Sequence, residues 1–269
     1  MLTHYKNQSC EELIELLKGD EITFSVLFAI LRRRCTDIFT DHENVILCYS
    51  NAPFPVWVWC KDMADTKAVE LIGACIKDHF PFEKGHYHIM IEKLWQALKN
   101  DSYFENTYID IDMLSYRLDN ILPVDKIADG KIELADTTDI DIFAGFFHDF
   151  ELEAEGIDHE MEYCREHMDE AIERNQLFAW RNEQNQLVAM TQNVKTDNFA
   201  RLSAVYTAPE YRRKGYAYNL VHSLCKTAVQ SGMTPILYAD SSYGPSNECY
   251  KKIGFTLVDR LCHIRKYCK

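Results

Sequence analysis

The sequence predicts an α/β protein, with strands and helices alternating along the chain and hairpins among the strands. Short runs rich in valine, isoleucine and aromatics, such as NVILCYS, PVWVWCK and PILYAD, alternate with amphipathic stretches of helical period. Several of these runs come in pairs joined by a short polar segment, which is the pattern of a hairpin. At 269 residues, 47% of them hydrophobic, the chain is long enough for two domains that each bury a core.

In the first half, CEELIELLKGDEITFSVLFAILRRRC reads as two helical stretches meeting near Gly19. NVILCYS and PVWVWCK, separated by NAPF, read as a hairpin. A helix follows from Asp62 or Asp65, with Val69, Leu71 and Ile76 apolar, then a strand at YHIMI and a short amphipathic helix at EKLWQALKN. Periodicity is lost over residues 119–130, DNILPVDKIADG, where Pro123, Asp129 and Gly130 collect. This is the expected linker, giving domains over residues 1–128 and 129–269.

The second half reads as a strand at KIELAD, a helix from Asp139 to Phe150, an acidic helix, and a hairpin of LFAWRN and LVAMTQNV around EQNQ. A strand at FARLSAVYT, a turn and a helix from Ala217 to Ser231 come next. That helix carries Val221, Leu224, Cys225, Ala228 and Val229 on one face and is stopped by Gly232 and Pro235. PILYAD, a short helix and two closing strands complete the chain. Both halves share a hairpin followed by helix, strand and helix.

Composition narrows the function classes. The formal charge of −13 repels a phosphate backbone, so nucleic acid is not an expected partner. No apolar run reaches the roughly 18 to 20 residues that span a bilayer, so no membrane association is expected. The start of the chain lacks the pattern of an export signal. The ten cysteines are scattered, with no Cys-x-x-Cys pair, and read as reduced thiols of a cytoplasmic protein. Residues 149–174 hold eleven carboxylates against Arg165 and Arg174. Their helical spacing with Met161, Cys164 and Met168 reads first as a solvated helix face, and second as a field that concentrates amines.

Against that acidity, YTAPEYRRKGYA (residues 206–217) places three cations and a glycine between a strand and a helix. A strand that delivers a tight turn to a helix N-terminus aligns unpaired N–H groups at one point, where the macrodipole also favours an anion. Gly215 admits a ligand close to the backbone and Ala217 keeps the first turn slim, while Arg212, Arg213 and Lys214 add positive charge. The expected ligand is a diphosphate. A basic cap on an ordinary helix is the plainer reading of these residues taken alone. The turn is neither a Walker loop nor a GxGxxG fingerprint.

Arg212 to Ala217 resembles the R/Q-x-x-G-x-G/A signature of the GCN5-related N-acetyltransferase family. SNECYKKIGF, Ser246 to Phe255, resembles that family's late helix, in the right order and about 30 residues on. The resemblance covers residues 131–269. It implies a mixed, mostly antiparallel central sheet flanked by helices, with the fourth and fifth strands, FARLSAVYT and PILYAD, splayed apart around acetyl-CoA as cosubstrate. The first half carries no signature, and resembles the degenerate copy of the same fold that precedes the catalytic domain in some bacterial members.

Carried over residue by residue, the resemblance implies that the backbone of Val205, Tyr206 and Thr207 pairs with the pantetheine arm. Amides from Arg213 through Lys214, Gly215, Tyr216 and Ala217 to Tyr218 would hold the pyrophosphate, and Asn247 would lie near the thiol end. Tyr250 would be the general acid, or else packing. The implied reaction is attack of a neutral amine, on a small molecule or a peptide, at the thioester, with a backbone N–H of Val205 or Tyr206 stabilising the oxyanion. The fourth strand lacks the glutamate base of several relatives, so Asp240, Glu151, Glu155 or a water chain remain for that role. Alternatives are a CoA-binding sensory module, another acyl group or a hydroxyl acceptor. His86 with His88, and His159 with Cys164 and His167, lack metal-site spacing, and no metal is expected.

Overall fold

Valine and aromatic side chains suit a pleated surface buried on both sides, and PVWVWCK forms such a strand. All five residues of Val56–Cys60 are buried in the computed structural model. The structure describes residues 1–6, 9–33, 37–124, 126–196 and 198–267. Cys35 and Cys268, two of the expected thiols, and Asp125 of the expected linker lie outside the described residues. The chain divides into two compact units, Met1–Ser115 with Val258–Lys269, and Tyr116–Leu257.

In the first part of the chain the order is β1 (Thr3–His4), α1 (Glu11–Leu16), α2 (Ser25–Arg33), β2 (Asp37–Thr40), β3 (Val45–Tyr49), β4 (Val56–Cys60), α3 (Thr66–His79), β5 (His88–Ile91), α4 (Glu92–Leu98) and β6 (Thr107–Leu118). The second part repeats that order without omission: β7 (Lys131–Leu134), α5 (Ile140–Glu155), α6 (Met161–Glu173), β8 (Leu177–Arg181), β9 (Leu187–Lys195), β10 (Phe199–Thr207), α7 (Tyr216–Gln230), β11 (Thr234–Asp240), α8 (Gly244–Ile253) and β12 (Phe255–Lys266). The shared rhythm of the two halves is therefore a repeated supersecondary unit. The two closing strands expected from sequence are one twelve-residue strand, β12, because FTLVDRLCHIRK has no glycine or proline to break it.

In the first unit β1 to β4 are antiparallel neighbours, β4 runs parallel to β5, and β12 pairs antiparallel with β5 through Leu261 to Ile264. In the second unit β7, β8, β9 and β10 are antiparallel in sequence, and β10 runs parallel to β11. The sheet is thus mixed and mostly antiparallel, as expected. The division at 115/116 and 257/258 arises because β6 and β12 each pass from one unit into the other.

Each unit buries its own core. In the first, Val45, Leu47 and Val58 of the strands meet Ile72 and Ile76 of α3 and Trp95 of α4. In the second, Phe143 and Phe147 of α5 and Met168 of α6 cover Ala179, Met190 and Tyr206. The eight described cysteines are free thiols. Among the described residues no helix is long and apolar enough to cross a membrane.

The returning end of β12 is fastened in the first unit by charge. Lys266 Nζ lies 2.7 Å from Glu83 Oε1 and 3.8 Å from the Tyr103 ring centroid, and Tyr103 donates to Glu83 Oε2 at 2.7 Å. The hydrogen bond from Lys266, then that from Tyr103, holds the Glu83 carboxyl down at about 2. A depressed folded-state pKa adds stability above the ordinary glutamate range, and that stability is lost as pH falls towards about 2. Glu83→Gln should therefore lower the denaturation midpoint at pH 7 by a small amount, the Glu83 side chain being largely exposed, with the difference from wild type fading as pH falls towards about 2.

Residues 119–130 connect β6 to β7, and their backbone is held rather than loose. Leu122 N–H donates to Ile253 O at 2.9 Å, and Trp180 Nε1 donates to Asp129 O at 2.7 Å. Gly130 has φ +88°, and a Cβ there would press into the Arg181 carbonyl oxygen and lie 2.6 Å from Asn182 Cα. Gly130→Ala combines a left-handed backbone with a main-chain clash, and should cost about 2–4 kcal/mol in chemical denaturation.

Candidate functional site

The site begins where β10 loses both neighbours. Its parallel pairing with β11 covers Phe199↔Thr234 to Leu202↔Leu237 and stops there. On the other side, pairing with β9 shifts register between Ser203 and Tyr206, so Ala204 and Val205 fall outside the ladder. Ala204 has φ +48°, the left-handed conformation that lets the strand bulge. Main-chain groups over these residues are thereby turned away from ordinary sheet pairing, and the two parallel strands part as the sequence resemblance implies.

β10 then feeds a turn with two left-handed residues, Arg213 at φ +65° and Gly215 at φ +91°. Gly215 serves by its backbone angle, since a Cβ there would meet only Asn219 Nδ2 at 3.6 Å. It is the N-cap of α7 and offers no side chain to the first-turn amides. The corresponding turn of the first unit, between β4 and α3, is built differently. There Asp65 caps the helix and accepts from Lys67 N–H and Ala68 N–H, so a carboxylate already occupies the position an anion would take. Of these two turns, the one before α7 is suited to a phosphate.

The expected site residues divide by environment. Arg213 and Lys214 are exposed, with Lys214 Nζ 5.1 Å from the Tyr211 ring centroid. Val205, Thr207, Ala217 and Tyr218 are half-buried along the strand and the first helical turn. Tyr206 is buried beneath α5 and donates to Asp149 Oδ2 at 3.2 Å; burial, then the Asp149 charge, pushes its hydroxyl up to about 12. Tyr216 is buried and donates to Asp129 Oδ1 at 2.7 Å. Arg212 does not face outward: its Nε donates to Thr207 O at 2.9 Å and its Nη2 reaches both oxygens of Glu153 at 2.7 and 2.9 Å.

Sequence reasoning missed the residues that fix α7. Asn219 Nδ2 donates to Lys126 O at 3.1 Å and to Gly215 O at 3.0 Å, and His222 Nε2 lies 2.9 Å from Leu122 O. The segment expected to be a linker is therefore laid along the helix that follows the turn. A partner about 90 to 100 positions away leaves no local pattern, which is why these contacts were not legible.

On α8, Asn247 is 6% exposed and fully engaged. Its Nδ2 donates to Asp240 O at 2.7 Å and Tyr243 O at 3.0 Å, and its Oδ1 accepts from Tyr116 at 3.1 Å. It thus ties the end of β11 to α8. Asp240 Oδ1 accepts from Ser242 N–H and Oδ2 from Ser242 Oγ, both at 2.8 Å, so its carboxylate shapes the same turn. Tyr250 is 5% exposed, between the rings of Tyr116 and Phe255, and burial pushes its hydroxyl well above the ordinary tyrosine value. It stays protonated at neutral pH and can donate.

Between α5 and α6, His159 Nε2 lies 3.4 Å from Glu151 Oε2, and burial pushes the Glu151 carboxyl up despite that neighbour. Glu155 ends α5. Among the described residues no three histidine, cysteine, aspartate or glutamate side chains gather as a metal set.

A sheet with two parted parallel strands, a basic left-handed turn and an uncapped helix after the first of them is the fold of the GCN5-related N-acetyltransferases. Residues 179–264 match the family model described as FR47-like protein. A GNAT-family acetyltransferase from Colwellia psychrerythraea is similar in structure, with TM-score 0.65 and 16% identity, over 99% of this chain and 100% of that one. A GCN5-related N-acetyltransferase from Sphaerobacter thermophilus gives TM-score 0.68 at 12% identity, over 98% and 95%. A Drosophila protein gives 0.69 at 11%, over 99% and 98%. No curated protein matches the sequence.

Asn247→Ala would remove the donor shared by Asp240 O and Tyr243 O, together with the acceptor of the Tyr116 hydroxyl bond, in a buried setting. It should cost about 2–4 kcal/mol, read as a lowered midpoint of chemical denaturation.

Proposed function

We propose that the protein is an acetyl-CoA-dependent N-acetyltransferase whose acceptor is a primary amine on a small molecule or peptide. One observation carries this reading: β10 parts from β11 after Leu202 and bulges away from β9 at Ala204 and Val205, shortly before a basic turn that opens an uncapped helix. A parted strand offers main-chain groups to the amide-bearing pantetheine arm, in the manner of an added strand. The turn offers N–H groups, helix dipole and the charges of Arg213 and Lys214 to the diphosphate. No other common cofactor combines an extended amide chain with a diphosphate in this order.

The chemistry follows from placing the thioester at the parting of the strands. A neutral amine attacks the carbonyl carbon, and a main-chain N–H of Val205 or Tyr206 stabilises the oxyanion. The C–S bond then breaks, Tyr250 supplies the proton that converts the departing thiolate to a thiol, and the proton lost by the attacking nitrogen passes to water, from which Tyr250 is reprotonated. Burial without a carboxylate partner keeps that hydroxyl protonated, which is the state an acid requires. The acidic α5 and α6 favour a cationic acceptor in bulk solution, which must lose a proton before it attacks.

The test is release of free thiol from acetyl-CoA across a panel of amines. Thiol release that depends on one amine class supports the transferase. Tight CoA binding without turnover on any amine would instead identify a binding module. Tyr250→Phe should retain CoA affinity and slow turnover roughly tenfold to thousandfold, whereas unchanged turnover would assign Tyr250 to packing. Gly215→Asp, which brings a carboxylate to the turn as Asp65 does in the first unit, should abolish CoA binding in calorimetry.

A further inference from the structure

Arg212, the first residue of the turn's signature, has its Nε and Nη2 engaged by acceptors of the protein itself. Its guanidinium makes three hydrogen bonds inside the second unit: one to Thr207 O, at the very end of β10, and two to the carboxylate of Glu153 on α5. Its Cζ also lies 5.5 Å from the centroid of the Tyr206 ring. The hydrogen bond to Glu153 is the leading reason that the Arg212 charge is held more firmly than in a free side chain. A second bond of the same kind lies one turn earlier on α5, where Asp149 accepts from the Tyr206 hydroxyl.

Asp149 and Glu153 are four residues apart and so share one face of α5. Both reach residues of the stretch that would carry the cofactor, one before the turn and one within it. Two different nitrogens of the planar guanidinium are held, Nε by Thr207 O and Nη2 by the Glu153 carboxylate, and this fixes the direction of Arg212 as well as its distance.

We infer that Arg212 is a positioning residue, and that Glu153 of α5 is its necessary partner in shaping the cofactor turn. This rests on the acetyl-CoA reading above. Arg212 and Glu153 clasp the exit of β10 to α5, holding Thr207 and Ala208 so that the left-handed residues that follow present their N–H groups together. The diphosphate is then held by those main-chain groups and by Arg213 and Lys214. The helix pair α5 and α6 is mechanically joined to the cofactor site through the same two carboxylates.

The two possible roles of Arg212 predict opposite signs for one conservative change. Glu153→Gln keeps the shape of a half-exposed side chain but removes the charge that holds the guanidinium. If Arg212 is a clasp, CoA binding by calorimetry weakens by about three- to tenfold. If Arg212 were itself a diphosphate ligand, the freed guanidinium would leave affinity unchanged or improve it, which overturns the proposal. The double variant Arg212→Ala with Glu153→Gln gives a second reading. A clasp predicts that it binds CoA no more weakly than Arg212→Ala alone, because both changes remove one interaction. Additive losses would overturn the shared role. Thermal denaturation of each variant shows that the fold is kept.

A control separates this proposal from the reading beneath it. Arg213→Ala with Lys214→Ala should weaken CoA more than the Glu153→Gln change does, and with a reduced salt dependence, since these are the exposed charges of the turn. Wild-type protein that binds no CoA would remove the cofactor site itself and the clasp with it. Wild-type protein that binds CoA with Glu153→Gln indistinguishable from it would remove the clasp alone.

Discussion

Main-chain hydrogen bonding along β10 is satisfied on both sides only as far as Leu202, and everything downstream depends on how the chain is supported after that point. A buried backbone group without a partner is costly, so a strand leaves its neighbours only where something else is arranged to meet it. Here the support is distributed. Ser203 O accepts from Thr191 Oγ1 at 3.0 Å, Ala208 N–H returns to Val188 O at 3.1 Å, and Thr207 O is taken by Arg212. Ala204 absorbs the change of direction in its left-handed backbone. The opening is therefore a built feature, bounded at each end by bonds that keep it from spreading along the sheet.

The two halves of the chain share one order of elements and differ by a few atoms at the turn before the central helix. Both have a parallel strand pair with a helix between, and in both the pairing of those strands is short. In the first unit the helix after the fourth strand is closed by its own Asp65, inside KDMAD, where Asp62 is a further acid that would repel a phosphate. In the second unit the cap is a glycine preceded by three cations. The difference lies in local charge and in one side chain at the helix start, against a background of conserved architecture.

Much of the fold was legible because its signals are local. The helix over α7 has a single apolar face with stops after it, FARLSAVYT matches β10 residue for residue, and the hairpin around EQNQ forms as β8 and β9. The splayed pair and the turn were legible through the spacing of two motifs. What was hidden depends on distance in sequence. Nothing near Arg212 announces Glu153, which lies 59 positions earlier, and Tyr116 is 131 positions from Asn247. Arg212 and Asn247 read as near the cofactor from their motif positions, and Asp240 as one candidate base at the end of the fifth strand; in the structure the side chain of each is engaged by protein groups. A motif records which residue type is needed, and only the fold decides whether the need is for a ligand or for a neighbour. β2 and the unbroken length of β12 were also missed, because short or charged strands carry little hydrophobic alternation.

The return of β12 to the first unit bears on how the chain matures. Strand β5 receives its partner from Leu261–Ile264, made long after β5 itself. While the ribosome is still working through the second half, one edge of β5 is an open row of amides and carbonyls, the kind of surface on which nascent chains cross-pair. The first half therefore cannot finish folding as an autonomous body during translation, and a transcript cut short before Val258 would yield a product prone to self-association.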